Sequence, residues 1–295
     1  MSAARLQPDE VARVLAHALP YIRRFAGKTV VVKMGGGAMT DDALNRQLAQ
    51  DVLLLHSVGV RLVLVHGGGP QIDELMRRVG LQPEFRDGLR VTSAETLELV
   101  RMVLVGRINR DLVTAINREE PVGIGVSGED GRLLLARPRD PTLGFVGDVE
   151  AVNASVLERL LDDGLVPVVS TVGADADGQA YNINADAAAS AIAAALGAEK
   201  IVYLTGAPGL LADPADPDSL VPRLALADVR AALADGSVDG GMIPKLTACA
   251  EAVEAGVATA HILDGRVPHV LLIELLTDEG IGTMIAKEVR SGEVA

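Results

Sequence analysis

The amino-acid sequence predicts an α/β protein with an open, mainly parallel central sheet sandwiched by helices. Three observations point there. Runs rich in Val, Leu and Ile recur at residues 29–33, 61–66, 121–126, 165–170, 200–204 and 258–263. Longer amphipathic stretches separate most of them, as a sheet of crossover-connected parallel strands requires. Two runs lead straight into three glycines, "VVVKMGGGAM" at 30–39 and "LVLVHGGGPQ" at 62–71. A strand that ends in glycines and enters a helix lets backbone N–H groups converge on an anion, because no Cβ blocks the approach.

Taken in order, residues 7–26 carry a helical pattern with Pro20 inside it, which predicts a helix broken or kinked near Ala18 to Pro20. Its apolar face of Val11, Leu15 and Leu19 has little core of its own to pack on, so a partner subunit is the expected cover. Gly27 joins this arm to the first strand. The stretch "TSAETLELVRMVLVGRINRDLVTAINRE" from Thr92 reads as one long helix, with Thr92 and Glu95 at the spacing of a capping box. Residues 128–153 are short apolar pieces punctuated by Gly and Pro and read as antiparallel ribbons beside the main sheet. Residues 205–220, "TGAPGLLADPADPDSL", are turn-rich and read as a mobile loop.

Composition narrows the function. Of 295 residues, 40 are acidic and 27 basic, a formal net charge of -13, and such a surface repels nucleic acid and anionic lipid. An anionic ligand would therefore need cations gathered at its site, which draws attention to Lys33 just ahead of the first glycine turn. The single cysteine, Cys249, excludes an internal disulfide and fits the reducing cytoplasm; it reads as a small buried hydrophobe rather than a thiol activated by Lys245. No apolar run approaches the length of a membrane span, and the amino terminus does not read as a secretory signal. "GIGVSG" at 123–128 satisfies GxGxxG, but a turn and a strand follow it where a dinucleotide site needs a helix. The five histidines form no metal-binding pair, and His66, between strand and glycines, is expected to support the turn by a hydrogen bond.

Eight motifs then occur in one order: "KMGGGAM", "VHGGGPQI", "DGLRVT", "MVLVGRIN", "VGDVEAVN", "YNINADAAA", "GGMIPK" and "HILDGRVPH". Together they resemble the amino acid kinase family, in the branch that phosphorylates the side-chain carboxylate of N-acetyl-L-glutamate during arginine synthesis, and its arginine-sensitive hexameric type. The resemblance implies that Lys33 and Lys245 grip the transferring phosphoryl group and that Asp186 orients both. It implies backbone N–H donation from Gly36 and Gly68, with Gly68, Gly69, Arg90 and Asn182 positioning acetylglutamate, Arg90 at its α-carboxylate. ATP, with Mg2+ held mainly by its phosphates, would meet Thr205, Gly206, Gly209, Gly241 and Met242, with no metal-ligating side chains of the protein's own. Residues 1–27 would then be an oligomerisation arm, 28–197 an acetylglutamate-binding lobe, and 198–295 a nucleotide-binding lobe with a carboxy-terminal arginine-site segment. Arginine as inhibitor would meet Tyr21, Glu274 and Gly280. The implied assembly is a cytoplasmic homohexamer, a trimer of dimers, to which a PII-type signalling protein could dock.

The chain departs from the family pattern at Met34, Gly37 and Leu276, and above all at Gly206, where the family's "LTD" reads "LTG". Two other readings therefore stand beside the first: a same-fold kinase for carrier-linked aminoadipate or glutamate, and a catalytically weak arginine-binding paralogue. A carboxylate nucleophile is already ionised at neutral pH, so the absence of a poised histidine base fits either kinase.

Overall fold

The computed structural model of the chain describes residues 7–35, 42–86, 88–238, 240–278 and 280–289; Gly36 and Gly37 lie outside them. Helix α1 (Pro8–Phe25) opens the described chain. The Val-rich runs become β1 (Thr29–Met34), β2 (Arg61–His66), β5 (Gly123–Ser127), β8 (Val166–Ser170), β11 (Lys200–Thr205) and β13 (Thr259–Asp264). With β12 (Arg223–Ala225) and β14 (Thr283–Ala286) they form one sheet in the order β12-β14-β13-β11-β1-β2-β8-β5. Every neighbouring pair is parallel except β13 with β14. The strands are hydrophobic almost without interruption because both faces are covered. On one face Val30, Val32 and Met34 pack with residues of α2 (Asp42–Ser57), α3 (Gly69–Arg78) and α10 (Val270–Leu276). On the other Val31, Val63 and Tyr203 pack with α6 (Ala154–Asp162), α7 (Ala185–Ala195) and α9 (Ile243–Glu254). Helix α8 (Leu226–Asp235) adds Val229 to this second layer.

Small β-structure sits beside the sheet. A hairpin of β3 (Phe85–Arg86) and β4 (Leu89–Arg90) precedes the long helical segment. The ribbon expected over 128–153 is the antiparallel pair β6 (Leu134–Pro138) and β7 (Val146–Val152). It closes with β9 (Val172–Ala174) and β10 (Ala180–Ile183) into a four-stranded barrel. "GIGVSG" lies in and just after β5 and opens no long helix, only a short 3-10 turn at Asp130–Arg132.

Two local expectations are corrected. Helix α1 is not broken at Pro20: it stays helical from Pro8 to Phe25 with Pro20 inside it, so of the two outcomes expected, a break or a kink, the break does not occur. Pro20 removes one bond, to the carbonyl of Ala16, in an exposed stretch where water can take that carbonyl. The long helix is capped by Ser93, not Thr92: Ser93 Oγ accepts from Thr96 N at 3.1 Å, while Thr92 Oγ1 donates to the Arg90 carbonyl. The helix itself is α4 (Ala94–Arg101), then a π-helical segment Met102–Ile108, then α5 (Asn109–Ile116). Cys249 is fully buried, and burial pushes its thiol pKa well above the ordinary value.

Candidate active site

The carboxyl ends of the parallel strands carry the site. Strand β1 is where the topology reverses: β2, next in the sheet-forming order, pairs on one side, and the much later β11 pairs on the other. In open α/β sheets ligands bind outside the strand ends at such a switch point. Lys33 is the second-last residue of β1. The period of two that sends Val32 and Met34 to the α2 face turns Lys33 with Val31 toward α7 and α9. There α7 begins with a side-chain cap: Asn184 Oδ1 accepts from Asp186 N at 2.9 Å and Ala187 N at 3.2 Å. The cap fixes Asp186 in the first turn, where the helix dipole favours a carboxylate. Asp186 Oδ1 lies 2.7 Å from Lys33 Nζ, and its Oδ2 lies 3.9 Å from Lys245 Nζ in the first turn of α9. Three residues separated by up to 212 positions thus form one cation–anion–cation cluster, with Lys33 and Asp186 side chains each 10% exposed.

A cavity of about 290 Å³ opens between Arg90 and two of the three, Lys33 and Asp186, lined also by Gly67, Gly68, Gly69 and Asn182; Lys245 does not line it. No side chain caps the start of α3 at Gly68, and the Gly69 N–H stands at that helix start, a position that suits an anion. Gly68 also packs tightly: a Cβ there would press on Ile108 Cδ1 and Leu104 Cδ2 of the π-helical segment, whose side-chain ends would have to shift. Arg90 is buried, with Nη1 2.6 Å from Asp73 Oδ1 and its guanidinium 4.7 Å above the Phe85 ring. Asn182 donates to Thr92 Oγ1 at 3.2 Å. His66 is fully buried, and burial drives its pKa down to about 4. Asn109 Nδ2 lies 3.3 Å from its Nε2 and donates to the Val168 carbonyl at 2.7 Å. An acceptor Nε2 places the proton on Nδ1, which faces the Gly67 carbonyl at 3.1 Å. His66 is neutral and holds the glycine turn.

The residues expected to meet nucleotide do not line that cavity but lie across β1. Thr205 ends β11, its Oγ1 tied to Ala207 at 3.0 Å. Gly206 is exposed with open space where a Cβ would stand. Gly209, at φ 148°, is held close to Thr283 and Leu220. Gly241 and Met242 lead into α9, whose start also lacks a side-chain cap. Of the expected arginine contacts, Glu274 and Gly280 line a separate cavity of about 70 Å³ beside His261, whereas Tyr21, on α1, does not line it. Glu274 Oε1 is 2.7 Å from Lys200 Nζ and 2.8 Å from His261 Nδ1. Burial alone would lift the Glu274 carboxyl, but His261 and Lys200 hold it at about 2.

Sequence reasoning missed Asp73 and Phe85, the partners of Arg90, and the contact of the half-exposed His269, through Nδ1, with buried Asp51 Oδ1 at 2.6 Å. Asp51 could have been suspected as an acid on the buried face of a helix.

The family model for the amino acid kinase family matches residues 28–264. The chain is 53% identical over 274 residues to the acetylglutamate kinase of Synechococcus elongatus, covering 92% of this chain and 91% of that one. It is 49% identical over 281 residues to that of Thermosynechococcus vestitus, covering 95% of each. Among solved structures it resembles N-acetylglutamate synthase from Neisseria gonorrhoeae complexed with coenzyme A and N-acetyl-glutamate, with TM-score 0.83 and 30% identity; the match covers 96% of this chain but only 66% of the synthase. The fold is shared with carbamate kinase from Giardia lamblia bound to AMP-PNP, at TM-score 0.67 and 21% identity, over 90% of this chain and all of that one. The chain belongs to the amino acid kinase family. Within it, identity near one half over nine-tenths of the length makes it an enzyme of the acetylglutamate kinase type.

Proposed function

We propose that the protein transfers the γ-phosphoryl group of ATP to the side-chain carboxylate of N-acetyl-L-glutamate, giving N-acetyl-L-glutamyl 5-phosphate and ADP, under feedback from arginine. The observation that carries this reading is the Lys33–Asp186–Lys245 cluster at the strand switch point, with a cavity for an acidic substrate on one side. The nucleophile needs no base, and His66, neutral and turned to Gly67, is not built to be one. What the site must supply is relief of repulsion between two anions and of the charge that spreads over the transferring group. Lys33 and Lys245 do this, Asp186 spacing them. The N–H groups at Gly68 and Gly69 face the substrate end, and Arg90 receives the α-carboxylate beside Asn182.

Residues 28–197 then hold acetylglutamate and residues 198–295 the nucleotide, at Thr205, Gly206, Gly209, Gly241 and Met242. The uncapped start of α9 beside Lys245 suits a polyphosphate. Mg2+ would supply further charge neutralisation. It would be held mainly by the nucleotide phosphates, as is usual for this ion. For the effector, the small cavity offers the Glu274 carboxylate and a buried His261 Nε2 that lacks a hydrogen-bond partner, acceptors suited to a guanidinium. The synthase from Neisseria gonorrhoeae has also been solved with coenzyme A and L-arginine, at 28% identity and TM-score 0.79 over 94% of this chain. The exposed apolar face of α1, with Val14 and Leu15 at least 60% exposed, suits the interlacing of dimers into a hexamer.

A coupled assay of ADP release across acetylglutamate, glutamate and aminoadipate, with and without arginine, tests the reading. Turnover on acetylglutamate that arginine suppresses supports it. Preference for another acid, or turnover with none, refutes it.

A further inference from the structure

A pair of buried hydroxyls lies beneath the two-lysine cluster and takes no part in the chemistry above. Tyr203 of β11 is the register partner of Lys33 on β1 and is fully buried. Its Oη is 2.6 Å from Ser190 Oγ. Ser190 lies one helical turn after Asp186 on α7, and its Oγ is 2.8 Å from the Ala248 carbonyl of α9 and 3.1 Å from the Asp186 carbonyl. Carbonyls only accept, so the single serine proton goes to them, and the tyrosine proton must go to Ser190. One chain of donors thus runs from β11 to α7 to α9. Lys245 is three residues before Ala248, on the same helix.

The surroundings make this chain decisive for spacing. Of the residues that α7 and α9 bring to this layer many are small, among them Ala189, Ala193, Ala248 and Ala252, beside Ile192 and Leu246, and small side chains interlock less deeply than long ones. A buried hydrogen bond, by contrast, is lost within a few tenths of an ångström, and each orphaned group is costly. Burial keeps the Tyr203 phenol pKa well above its ordinary value, so it stays a donor across the working pH range.

We propose that the Tyr203–Ser190 hydroxyl pair is a positioning device that fixes α9 against α7 and β11 and so sets the distance between Lys245 and Asp186. This rests on the reading that Lys245 stabilises the transferring phosphoryl group. Neither residue lines the substrate cavity; both act through Lys245.

The test is a double-mutant cycle in the ADP-release assay, with thermal melts as fold control. Lys245→Ala alone should lower kcat by roughly 100-fold, the scale of one lost transition-state donor; normal turnover there would defeat the underlying reading, whatever Tyr203 does. Tyr203→Phe, which keeps the ring, should lower kcat on the order of 10-fold, about the loss of one well-made hydrogen bond, with the KM for acetylglutamate within about twofold. In the Lys245→Ala background the same change should cost less than about twofold, since the group to be positioned is gone. An unchanged kcat in Tyr203→Phe, or an equal loss in both backgrounds, overturns the proposal. Ser190→Ala carries the same expectations and serves if the tyrosine variant does not fold.

Discussion

Replacing Asp186 by Asn removes the one negative charge between two lysines while keeping the side chain's shape. At an effective dielectric of about 20, the 2.7 Å contact to Lys33 and the 3.9 Å contact to Lys245 correspond to Coulomb attractions on the order of 6 and 4 kcal/mol. The second is discounted because a quarter of the Lys245 side chain is exposed. Much of the first is already offset by the desolvation of Lys33. Breaking a buried pair by removing one partner costs ~3–5 kcal/mol. At ~2–4 °C per kcal/mol for chains a little shorter than this one, Asp186→Asn should melt roughly 6–20 °C below the parent. Saturating Mg-ATP should raise the melting temperature of the variant more than that of the parent, because the nucleotide's phosphates replace the missing counter-charge. Turnover by coupled ADP release should fall by roughly 100-fold or more as the lysines lose their common anchor. A melting temperature within about 2 °C of the parent together with near-normal turnover would refute the claim that Asp186 holds the pair.

Gly206→Asp restores the acid of the family pattern, and the open space at Gly206 admits it without a clash; a several-fold change in the KM for ATP is expected, and an unchanged KM would show that the departure has no consequence for nucleotide binding. His66 binds its proton only near pH 4 in the folded chain, against 6.5 ordinarily. Its contribution is therefore complete above pH 6.5 and is lost as pH falls toward 4, by ~1.4 kcal/mol per pH unit and ~3 kcal/mol in all. Chemical denaturation of the parent and His66→Gln should show that slope only in the parent; equal slopes would contradict it. Deletion of residues 1–26 should convert hexamers to dimers and blunt arginine inhibition, and an unaltered sedimentation profile would count against the arm.

The sheet was readable because burial on both faces leaves its signature in the chain itself: β2 occupies the same span as the run at 61–66, and β8 and β13 begin one residue late. The start of the long helix was misread by one residue because Thr92 and Ser93 are both good caps. What decided between them was the bridge of Thr92 to Gly144, a contact invisible locally. The π-helical stretch at Met102–Ile108, whose Leu104 and Ile108 lie over Gly68, left no mark in the apolar period. Of the site, Lys33 announced itself by standing in an apolar strand beside glycines. Its meeting with Asp186 and Lys245 was reached only through motif order, and Ser190 with Tyr203 carried no signal, being one unremarkable hydroxyl on a helix and another in a strand 13 residues apart.

Strand β1 belongs equally to both flanks of the sheet, with the first-built strands on one side and the last-built on the other. If those flanks twist against each other when ligands enter or leave, β1 is the axle of that rotation, and points on an axle travel least. Lys33, near its tip, would then keep its place through such a twist, and Asp186, paired with it at 2.7 Å, would keep its place too.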